Sequence, residues 1–304
     1  VGPVNVYVIK SDPPVLIDTG LNGDETYNLL AEGLAAHGYT YGDLGAIIVT
    51  HGHRDHIGLL GRLLREHEVD SYGHPLVQEL GRNIDADPEE RRAFFVGILD
   101  EFGVPQEIKA EANSLYDRFR AFSEPFELKH SLPDESEVLR HRVLYVPGHS
   151  PSDTLFIHRE AGYTITGDHI LTTTNPNPLL RRSGPGKPRD KALIEYRDSL
   201  LRSRQQDLGL CLPGHGGPIE DGHAAIDDIL RKQDIRTGQI RDLVAKGART
   251  PYDVSRKLFP RLPIPQIHLG LSIAVGHLEL LEQMGEVNGY HEQGVLNFSP
   301  LTSI

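Results

Sequence analysis

The sequence predicts a mixed α/β fold with a smaller helical module at its C-terminal end. Short runs of β-branched and aromatic residues alternate with stretches whose apolar residues recur at helical spacing. This alternation occurs in two similar halves, and the first half carries a helical insertion. From about residue 222 the pattern changes to helices followed by a hairpin-like run, so we expect two domains.

The first half begins with a predicted β-hairpin. Val4–Ile9 and Val15–Ile17 are strand-like, and the polar and proline residues between them are typical of a turn. A helix is predicted over Thr26–His37, where leucines recur at helical spacing. The remaining predicted elements of this half are a strand over Ala46–Thr50, a helix over Gly58–His67, a strand near Ser71 and a mostly helical insertion over residues 76–125.

The second half returns to strands and then to helices. Strands are predicted over Val143–Val146, Thr154–His158 and Tyr163–Thr166, a helix over Lys191–Gln205 and a last strand over Leu210–Leu212. A long helix over Ala224–Lys246 is followed by "TPYDVSRKLF", "QIHLGLSIAVGHLELLEQMG" and "EVNGYHEQGVLNF". Three helices and a β-wing are typical of a winged-helix module. We therefore expect a catalytic domain over residues 1–222 and a winged-helix-like module over residues 223–304.

Composition narrows the class of protein. The chain has 304 residues, of which 38% are hydrophobic and 24% charged, as in ordinary globular proteins. Its net charge of −12 disfavours binding to nucleic-acid backbones. No apolar run is expected to reach the roughly 20 residues of a membrane span. One cysteine, Cys211, allows no internal disulfide or cysteine-rich zinc module and is typical of a reducing cytoplasm, where we expect the protein.

The stretch "VTHGHRDHIG", Val49 to Gly58, carries four metal-ligand side chains within six residues. His51 and His53 are two apart on an extended segment and therefore point the same way. Asp55 and His56 follow where the next helix begins, and they can turn towards a second position close by. Imidazole and carboxylate groups are ligands that zinc, iron and manganese accept. The pattern therefore indicates a metal centre rather than a polar surface loop.

Three further ligands follow predicted strands and have glycine neighbours. They are His149 in "VPGHS", Asp168 in "TGDH" and His215 in "LPGHG". Side chains at strand ends can converge at one edge of a sheet. A single Pro-Gly-His tripeptide is weak support, but three such sites after a His-x-His-x-Asp-His motif are strong support for a metal centre.

These motifs, with "VLIDTG" at residues 15–20, resemble the metallo-β-lactamase superfamily over Val4 to about His223. The resemblance implies a four-layer αββα sandwich and a binuclear metal site, with zinc as the first choice and iron or manganese as alternatives. Within the superfamily the C-terminal segment is most similar to the lactamase-β-like protein 2 group and its bacterial relatives, and more distantly to glyoxalase II. Carried over by position, the first ion is held by His51, His53 and His149, the second by Asp55, His56 and His215, and Asp168 bridges them.

The resemblance and the ligand set together imply a hydrolytic mechanism. Two close cations lower the pKa of a shared water, and the resulting hydroxide attacks a carbonyl or phosphoryl centre. Asp55 is the candidate catalytic residue, because its carboxylate can accept the proton of that water and orient it. Asp18 matches the family's buried aspartate beneath the metal loop, although a turn aspartate is the alternative. His169 is an outer-shell donor or pocket residue, or a strand residue that points away.

Two features are candidate substrate contacts. Arg181, Arg182 and three further basic residues lie in one loop with Asp190 as its only acid, so the loop can bind an anionic group or simply be solvated. The insertion contains Tyr116, Phe119 and other aromatic residues, which either form a lid over the site or pack in the insertion's own core.

The predicted function is hydrolysis of an ester, thioester or related small organic substrate. A metal-dependent ribonuclease or phosphodiesterase is the first alternative, although the acidic net charge disfavours it. A mononuclear iron dioxygenase is the second, and it differs in needing a single iron. The helix over Leu269–Met284 is apolar on most sides, so we expect it to be buried in the module or in a homodimer rather than to bind DNA.

Overall fold

The computed structural model describes residues 3–83, 88–109, 111, 124–181 and 188–301. The predicted mixed α/β fold is confirmed within these residues. Two five-stranded sheets are present there, together with a two-stranded hairpin near the C-terminal end. The chain divides into two compact units, each of which draws on three separate segments.

The first sheet has the strand order β1-β2-β3-β4-β5. Its first pair is antiparallel, and each later pair is parallel. Its strands and their connecting helices are β1 (Tyr7–Ile9), β2 (Val15–Ile17), α1 (Asp24–Ala35), β3 (Ala46–Ile48), α2 (Arg54–Ile57), α3 (Leu60–Glu66), β4 (Asp70–Gly73), α4 (Pro75–Arg82) and β5 (His130–Ser131). The helix predicted over Gly58–His67 corresponds to α3, and the separate single turn α2 precedes it, so that Asp55 and His56 lie within α2.

The second sheet has the strand order β10-β9-β8-β7-β6. Only its β10–β9 pair is parallel, and the other pairs are antiparallel. The bounds of its elements are β6 (Glu137–Val138), β7 (His141–Tyr145), β8 (Thr154–His158), β9 (Tyr163–Gly167) and β10 (Leu210–Pro213).

The two sheets pack face to face around a shared core. Val15 and Ile17 of β2 belong to a buried cluster that includes Val143, Phe156 and Ile165 of the second sheet. Leu16, between them in the chain, belongs instead to the cluster with leucines of α1 and α3. Successive residues of a strand face opposite sides, so the all-apolar "VLI" run is what a strand covered on both faces requires.

The second compact unit contains Asp87–Phe119, Asn177–Asp198 and Asp227–Ile304, and we call it the helical unit. The first unit, which holds both five-stranded sheets, is called the sheet unit. The remaining elements of the chain are α5 (Pro88–Glu101), α6 (Ala192–Ser203), α7 (Gly222–Ala245), α8 (Pro251–Leu258), α9 (Ile267–Gln283), β11 (Val287–Glu292) and β12 (Val295–Pro300). The last two strands form the antiparallel hairpin.

Residues 87–119 of the predicted insertion fall in the helical unit, whereas its two ends fall in the sheet unit, whose last segment ends at Ile226. Leu99 and Phe102 are fully buried in one cluster with Leu271 and Val275 of α9. Phe94 and Phe95 pack partly buried against the same cluster. These aromatic residues therefore do not form a core of the insertion alone, because their apolar faces are buried against the C-terminal helix.

Helix α9 is buried, as expected from its composition. Leu271, Ala274, Leu278 and Leu281 are fully buried within the helical unit. The expectation that no apolar run approaches the length of a membrane span was wrong for this segment. Ile264–Gln283 is long and apolar enough by length and composition alone, but 67% of its apolar window is buried inside the protein, as in the core helix of many folds. Its length and composition are therefore weak support for a membrane span.

We predict that Phe102→Ala lowers the free energy of unfolding by about 3–5 kcal/mol, because the ring is fully buried between helices and its removal leaves a cavity. Urea unfolding measures the change. Ile235→Ala on α7 is the control, since that side chain is 51% exposed and its truncation is expected to cost less than about 0.5 kcal/mol. Equal effects of the two substitutions would contradict the packing of the insertion described above.

A buried histidine predicts acid sensitivity of the helical unit. Burial, together with Arg236 and Arg197, lowers the pKa of His277 to about 3. The ring is neutral in the folded state and protonates near its ordinary pKa when unfolded, so stability is complete above about pH 6.5 and falls as the pH drops towards 3. At pH 4.5 the loss from this group amounts to ~2–3 kcal/mol. His277→Gln is expected to flatten this part of the stability curve, and an unchanged slope would contradict the assignment.

Candidate metal centre

The metal loop connects β3 to α2. Its buried strand β3 ends at Ile48, and the chain continues through buried Val49 and Thr50 to His51. His53 has an extended backbone and directly precedes α2. Asp55 and His56 lie in the single turn of α2, and the His56 ring is 4.1 Å from the His51 ring between centroids. One short loop therefore supplies ligands to two neighbouring positions.

The structure brings all seven predicted ligands together in the sheet unit. Their ligand atoms form three overlapping groups, in each of which all atoms lie within 4.8 Å of one another. The groups are His51, His53 and His149; His51, His56 and Asp168; and Asp55, His56 and His215. The first and third groups are the two sets that the resemblance to the superfamily implies for two separate ions.

Asp168 lies between these two sets. Its Oδ2 atom is 3.4 Å from Nε2 of His149 and 3.4 Å from Nε2 of His215. Its Oδ1 atom is 3.5 Å from Nε2 of His56. The carboxylate therefore faces one histidine of the first set and two of the other set, which is the position that a bridging ligand requires.

Asp18 holds the metal loop from beneath. Its Oδ1 atom accepts a hydrogen bond of 2.8 Å from the Thr50 backbone N–H, and its Oδ2 atom accepts one of 2.8 Å from the Thr50 hydroxyl. Oδ2 is also 2.8 Å from Nδ1 of His56. The residue is 2% exposed and has a φ of 59°, a conformation that is unfavourable without glycine and is retained here by these contacts.

These contacts determine the tautomers of the inner histidines. The carboxylate of Asp18 can only accept, so His56 donates its Nδ1 proton and keeps its Nε2 lone pair free. The Thr50 hydroxyl already donates to Asp18, so it accepts the Nδ1 proton of His51 at 3.0 Å. In the same way His215 donates its Nδ1 proton to the Pro3 carbonyl at 2.9 Å. All three rings thus direct Nε2 lone pairs into the site.

Buried polar atoms without a hydrogen-bond partner test whether the site could hold a cation. Among the residues that the structure describes, Nε2 of His51, His56, His149 and His215 and Oδ1 of Asp168 are buried without a hydrogen-bond partner. A buried polar atom without a partner is costly, and several that converge on one place are characteristic of a ligand site. Nitrogen lone pairs and carboxylate oxygens are the donors that zinc, iron and manganese accept. The residues present therefore fit a pair of divalent cations.

The charge states agree with this donor set only in part. Contacts with the nearby carboxylates outweigh burial and raise the pKa values of His56, His149 and His215, the last to about 10, so a cation must displace protons from these rings. Burial, reinforced by His56 and His53, holds the pKa of His51 well below its usual range. Burial would raise the pKa of Asp168, but His149, His215 and His56 overcome this and hold it far below its usual range. The pKa of Asp55 is about 2, because His215 and His56 outweigh the effect of burial. At neutral pH the carboxylates are ionised and His51 is neutral, as metal ligation requires.

Gly214 explains why glycine precedes His215. A Cβ atom at this position would lie 2.3 Å from Oδ1 of Asp168 and 2.6 Å from Cε1 of His56. Any side chain would therefore displace two of the predicted ligands. The glycine of "LPGHG" thus permits the close approach of the loop to the site.

The remaining predicted site residues lie elsewhere. His169 is 1% exposed and its Nε2 atom contacts the Ser203 hydroxyl at 2.9 Å, and it is in none of the three ligand groups found among the described residues. Arg181 pairs with Asp190 at 3.0 Å and also with Glu195, and Arg189 pairs with Glu279 at 2.7 Å.

The basic loop therefore has more acidic partners than its sequence indicates, because Glu195 and Glu279 come from α6 and α9. Two carboxylates already contact the Arg181 guanidinium, which disfavours an anion-binding role for this residue. Arg182, Tyr116 and Phe119 lie outside the described residues.

The comparisons with known proteins agree with this geometry. The family model of the metallo-beta-lactamase superfamily matches residues 1–215. The probable metallo-hydrolase YqjP of Bacillus subtilis (strain 168) is 32% identical over 304 residues, covering 99% of this chain and 94% of that protein. The metallo-beta-lactamase family protein TTHA1429 of Thermus thermophilus superposes with a TM-score of 0.81 at 25% identity, covering 98% of this chain and 94% of that one.

Two shorter matches differ in the activity that their names state. The exodeoxyribonuclease WalJ of Streptococcus pneumoniae serotype 2 (strain D39) is 32% identical over 101 residues, covering 32% of this chain and 36% of that protein. The atrochrysone carboxyl ACP thioesterase of Aspergillus fumigatus is 25% identical over 134 residues, covering 40% of this chain and 39% of that protein. The similarity therefore extends to proteins that act on different bonds.

Proposed function

Since the chain belongs to the metallo-beta-lactamase superfamily, we propose that it is a binuclear metal-dependent hydrolase of an ester or thioester of a small organic molecule. The observation that carries this proposal is the pair of complete ligand sets with Asp168 between them. A mononuclear iron dioxygenase needs only one set, and the second set would then have no role.

The proposal assigns each predicted ligand to one cation. His51, His53 and His149 hold the first ion, and Asp55, His56 and His215 hold the second, with Asp168 shared. Zinc is the proposed metal because nitrogen-rich sets suit it, and iron and manganese accept the same donors. Two such cations, when bound, lower the pKa of a coordinated water and polarise the oxygen of the bond under attack.

Asp55 is the proposed proton acceptor. Its carboxylate has a pKa of about 2 and is therefore ionised at neutral pH. Its side chain is 33% exposed, whereas that of Asp168 is 6% exposed, so Asp55 is the carboxylate that incoming water and substrate can reach. It can accept a hydrogen bond from the attacking water and then its proton, while Asp168 remains engaged with three histidines.

The substrate class rests on charge and on the shorter relatives. A net charge of −12 disfavours the approach of a polyanionic nucleic acid, which favours an acyl substrate over a phosphodiester. The thioesterase match supports an acyl substrate, and the exodeoxyribonuclease match makes a phosphodiester the alternative. We also propose that the protein acts in the cytoplasm, where its one cysteine, the buried Cys211, stays reduced.

The test begins with protein purified without added metal. We expect metal analysis to find two divalent ions per chain, and a panel of esters, thioesters, lactones, phosphodiesters and RNA to show turnover of an ester or thioester. A strong chelator should abolish that turnover, and added zinc should restore it. Full activity after chelation would exclude the metal mechanism, whereas turnover of only phosphodiesters or RNA would favour the alternative substrate class.

A further inference from the structure

Asn5 binds the loop that carries His215, although the two residues are far apart in the sequence. Its side-chain Nδ2 donates to the Pro213 carbonyl at 2.9 Å and to the Gly216 carbonyl at 2.7 Å. Its backbone N–H donates to the Gly214 carbonyl at 2.7 Å. Asn5 therefore contacts the chain on both sides of His215, and both protons of its amide group are used.

The residues beside Asn5 complete this contact. Val4 forms an antiparallel bridge with His215, and the Pro3 carbonyl accepts the Nδ1 proton of that ring at 2.9 Å. The hydroxyl of Tyr7 donates to the Pro213 carbonyl at 2.7 Å. The segment of residues 3–7 thus determines both the place of the His215 backbone and the tautomer of its ring.

These contacts determine where the Nε2 atom of His215 lies in the second ligand set. With Nδ1 donated to Pro3, the Nε2 atom of His215 lies 3.3 Å from Oδ2 of Asp55 and 3.4 Å from Oδ2 of Asp168. A small rotation of the loop would break the contact with Pro3 and remove Nε2 from this position. The hydrogen bonds found for Asn5 in the described residues all go to residues 213–216, and none goes to the loops of His51, His53 or His149.

We propose that Asn5 is a positioning residue for the second cation: it fixes the His215 loop against residues 3–7 and has no role at the first cation. The proposal rests on the metal centre proposed above. An amide is suited to this role because it presents two N–H donors to two carbonyl oxygens, whereas an aspartate of the same shape would present an oxygen to them.

The experiment measures zinc dissociation constants by competition with a chromophoric chelator, in two backgrounds. His53→Ala disrupts the first position, so the remaining ion reports on the second, and His215→Ala does the reverse. In the His53→Ala background, Asn5→Asp is expected to weaken zinc binding ~10–100-fold, as is typical when a partner that orients a ligand is lost. In the His215→Ala background it is expected to have no further effect, because its target is already absent.

Two further variants keep the test decisive. Asn28→Asp on α1 makes the same chemical change at an exposed position and is expected to leave both constants unchanged. Asn5→Ala removes the amide donors without adding a charge, and thermal unfolding of the metal-free proteins shows whether each variant folds. If Asn5→Asp does not fold, Asn5→Ala decides the result in both backgrounds.

The outcomes separate this inference from the proposed function. Equal weakening in the two backgrounds, or none in either, would overturn the role of Asn5 while leaving the metal centre intact. Failure of the unmodified protein to bind zinc would overturn the metal centre and this inference together. A loss confined to the His53→Ala background is the result that only the positioning role predicts.

Discussion

Replacement of Asp168 by alanine is expected to abolish tight binding of at least one cation and to lower kcat/KM ~1,000-fold or more, which corresponds to about 4 kcal/mol. The carboxylate lies 3.4–3.5 Å from three histidine nitrogens that belong to both ligand sets. Its removal deletes a ligand from each set and leaves the surrounding imidazoles without their shared negative charge. Metal analysis and steady-state kinetics on the same preparation measure the two effects.

The matched variants for this prediction are Asp168→Asn and Asp24→Asn. The first keeps the shape of the side chain but removes its charge, and it is expected to lose metal as well, because a neutral amide is a poor bridging ligand. The second makes the same change on α1, where the side chain is 89% exposed, and it is expected to retain full metal content and activity. Retention of two ions by Asp168→Ala would refute the bridging role.

Replacement of Asp18 by asparagine is the second substitution with a large expected effect. The buried carboxylate accepts from the Thr50 N–H, the Thr50 hydroxyl and Nδ1 of His56. An asparagine has only one side-chain oxygen, so it can accept from only some of these three donors, and its NH₂ group then faces another donor. His56 thereby loses the partner that fixes its tautomer. Metal affinity is expected to fall ~10–100-fold, which is the usual effect of losing such a partner.

Asp18→Ala is expected to have a larger effect than Asp18→Asn, because it leaves these buried donors without an acceptor. It is expected to lower the free energy of unfolding of the metal-free protein by about 3–5 kcal/mol, since each unsatisfied buried donor costs ~1–3 kcal/mol. Urea unfolding and chelator competition measure the two quantities separately. Unchanged metal affinity in Asp18→Asn would mean that the aspartate is only a turn residue, which was the alternative left open by the sequence.

The sequence contains most of the information needed to predict the sheet unit and its candidate ligands. Runs such as "VLI" and "AII" are apolar at every position, which indicates strands covered on both faces, and both are buried in the first sheet. A ligand-type residue soon after each of several strands predicts convergence at one sheet edge. It predicts that His51, His149, Asp168 and His215 lie near one another, and the structure brings them together.

Long-range contacts could not be predicted in the same way. The insertion's leucines and phenylalanines have helical spacing, but spacing does not identify their packing partner, and α9 lies more than 150 residues later in the sequence. Asn5 and Pro3 act on a loop near residue 215 through backbone carbonyls, which carry no sequence signature. The contact of Thr50 with His51 is an exception that the sequence could have predicted, because Thr50 directly precedes His51 and has a hydroxyl within reach of that ring.

The basic loop shows why local charge can mislead. In the sequence Arg181 and Arg189 have Asp190 as their only nearby acid, whereas in the fold they contact Glu195 and Glu279 on two different helices. A buried pair such as Arg189 with Glu279 is neutralised by a residue that is remote in the chain. The charge of a segment therefore predicts a ligand only when the residues that pack against it are also known.

The most direct test of the binuclear centre is a crystal structure of protein purified without added metal, with anomalous diffraction measured at the zinc, iron and manganese absorption edges. We predict two anomalous peaks. One lies at bonding distance from His51, His53 and His149, the other from Asp55, His56 and His215, with an Asp168 oxygen near both. A single peak at the first set would contradict the binuclear assignment, and the absence of any peak among these seven side chains would contradict the metal centre itself.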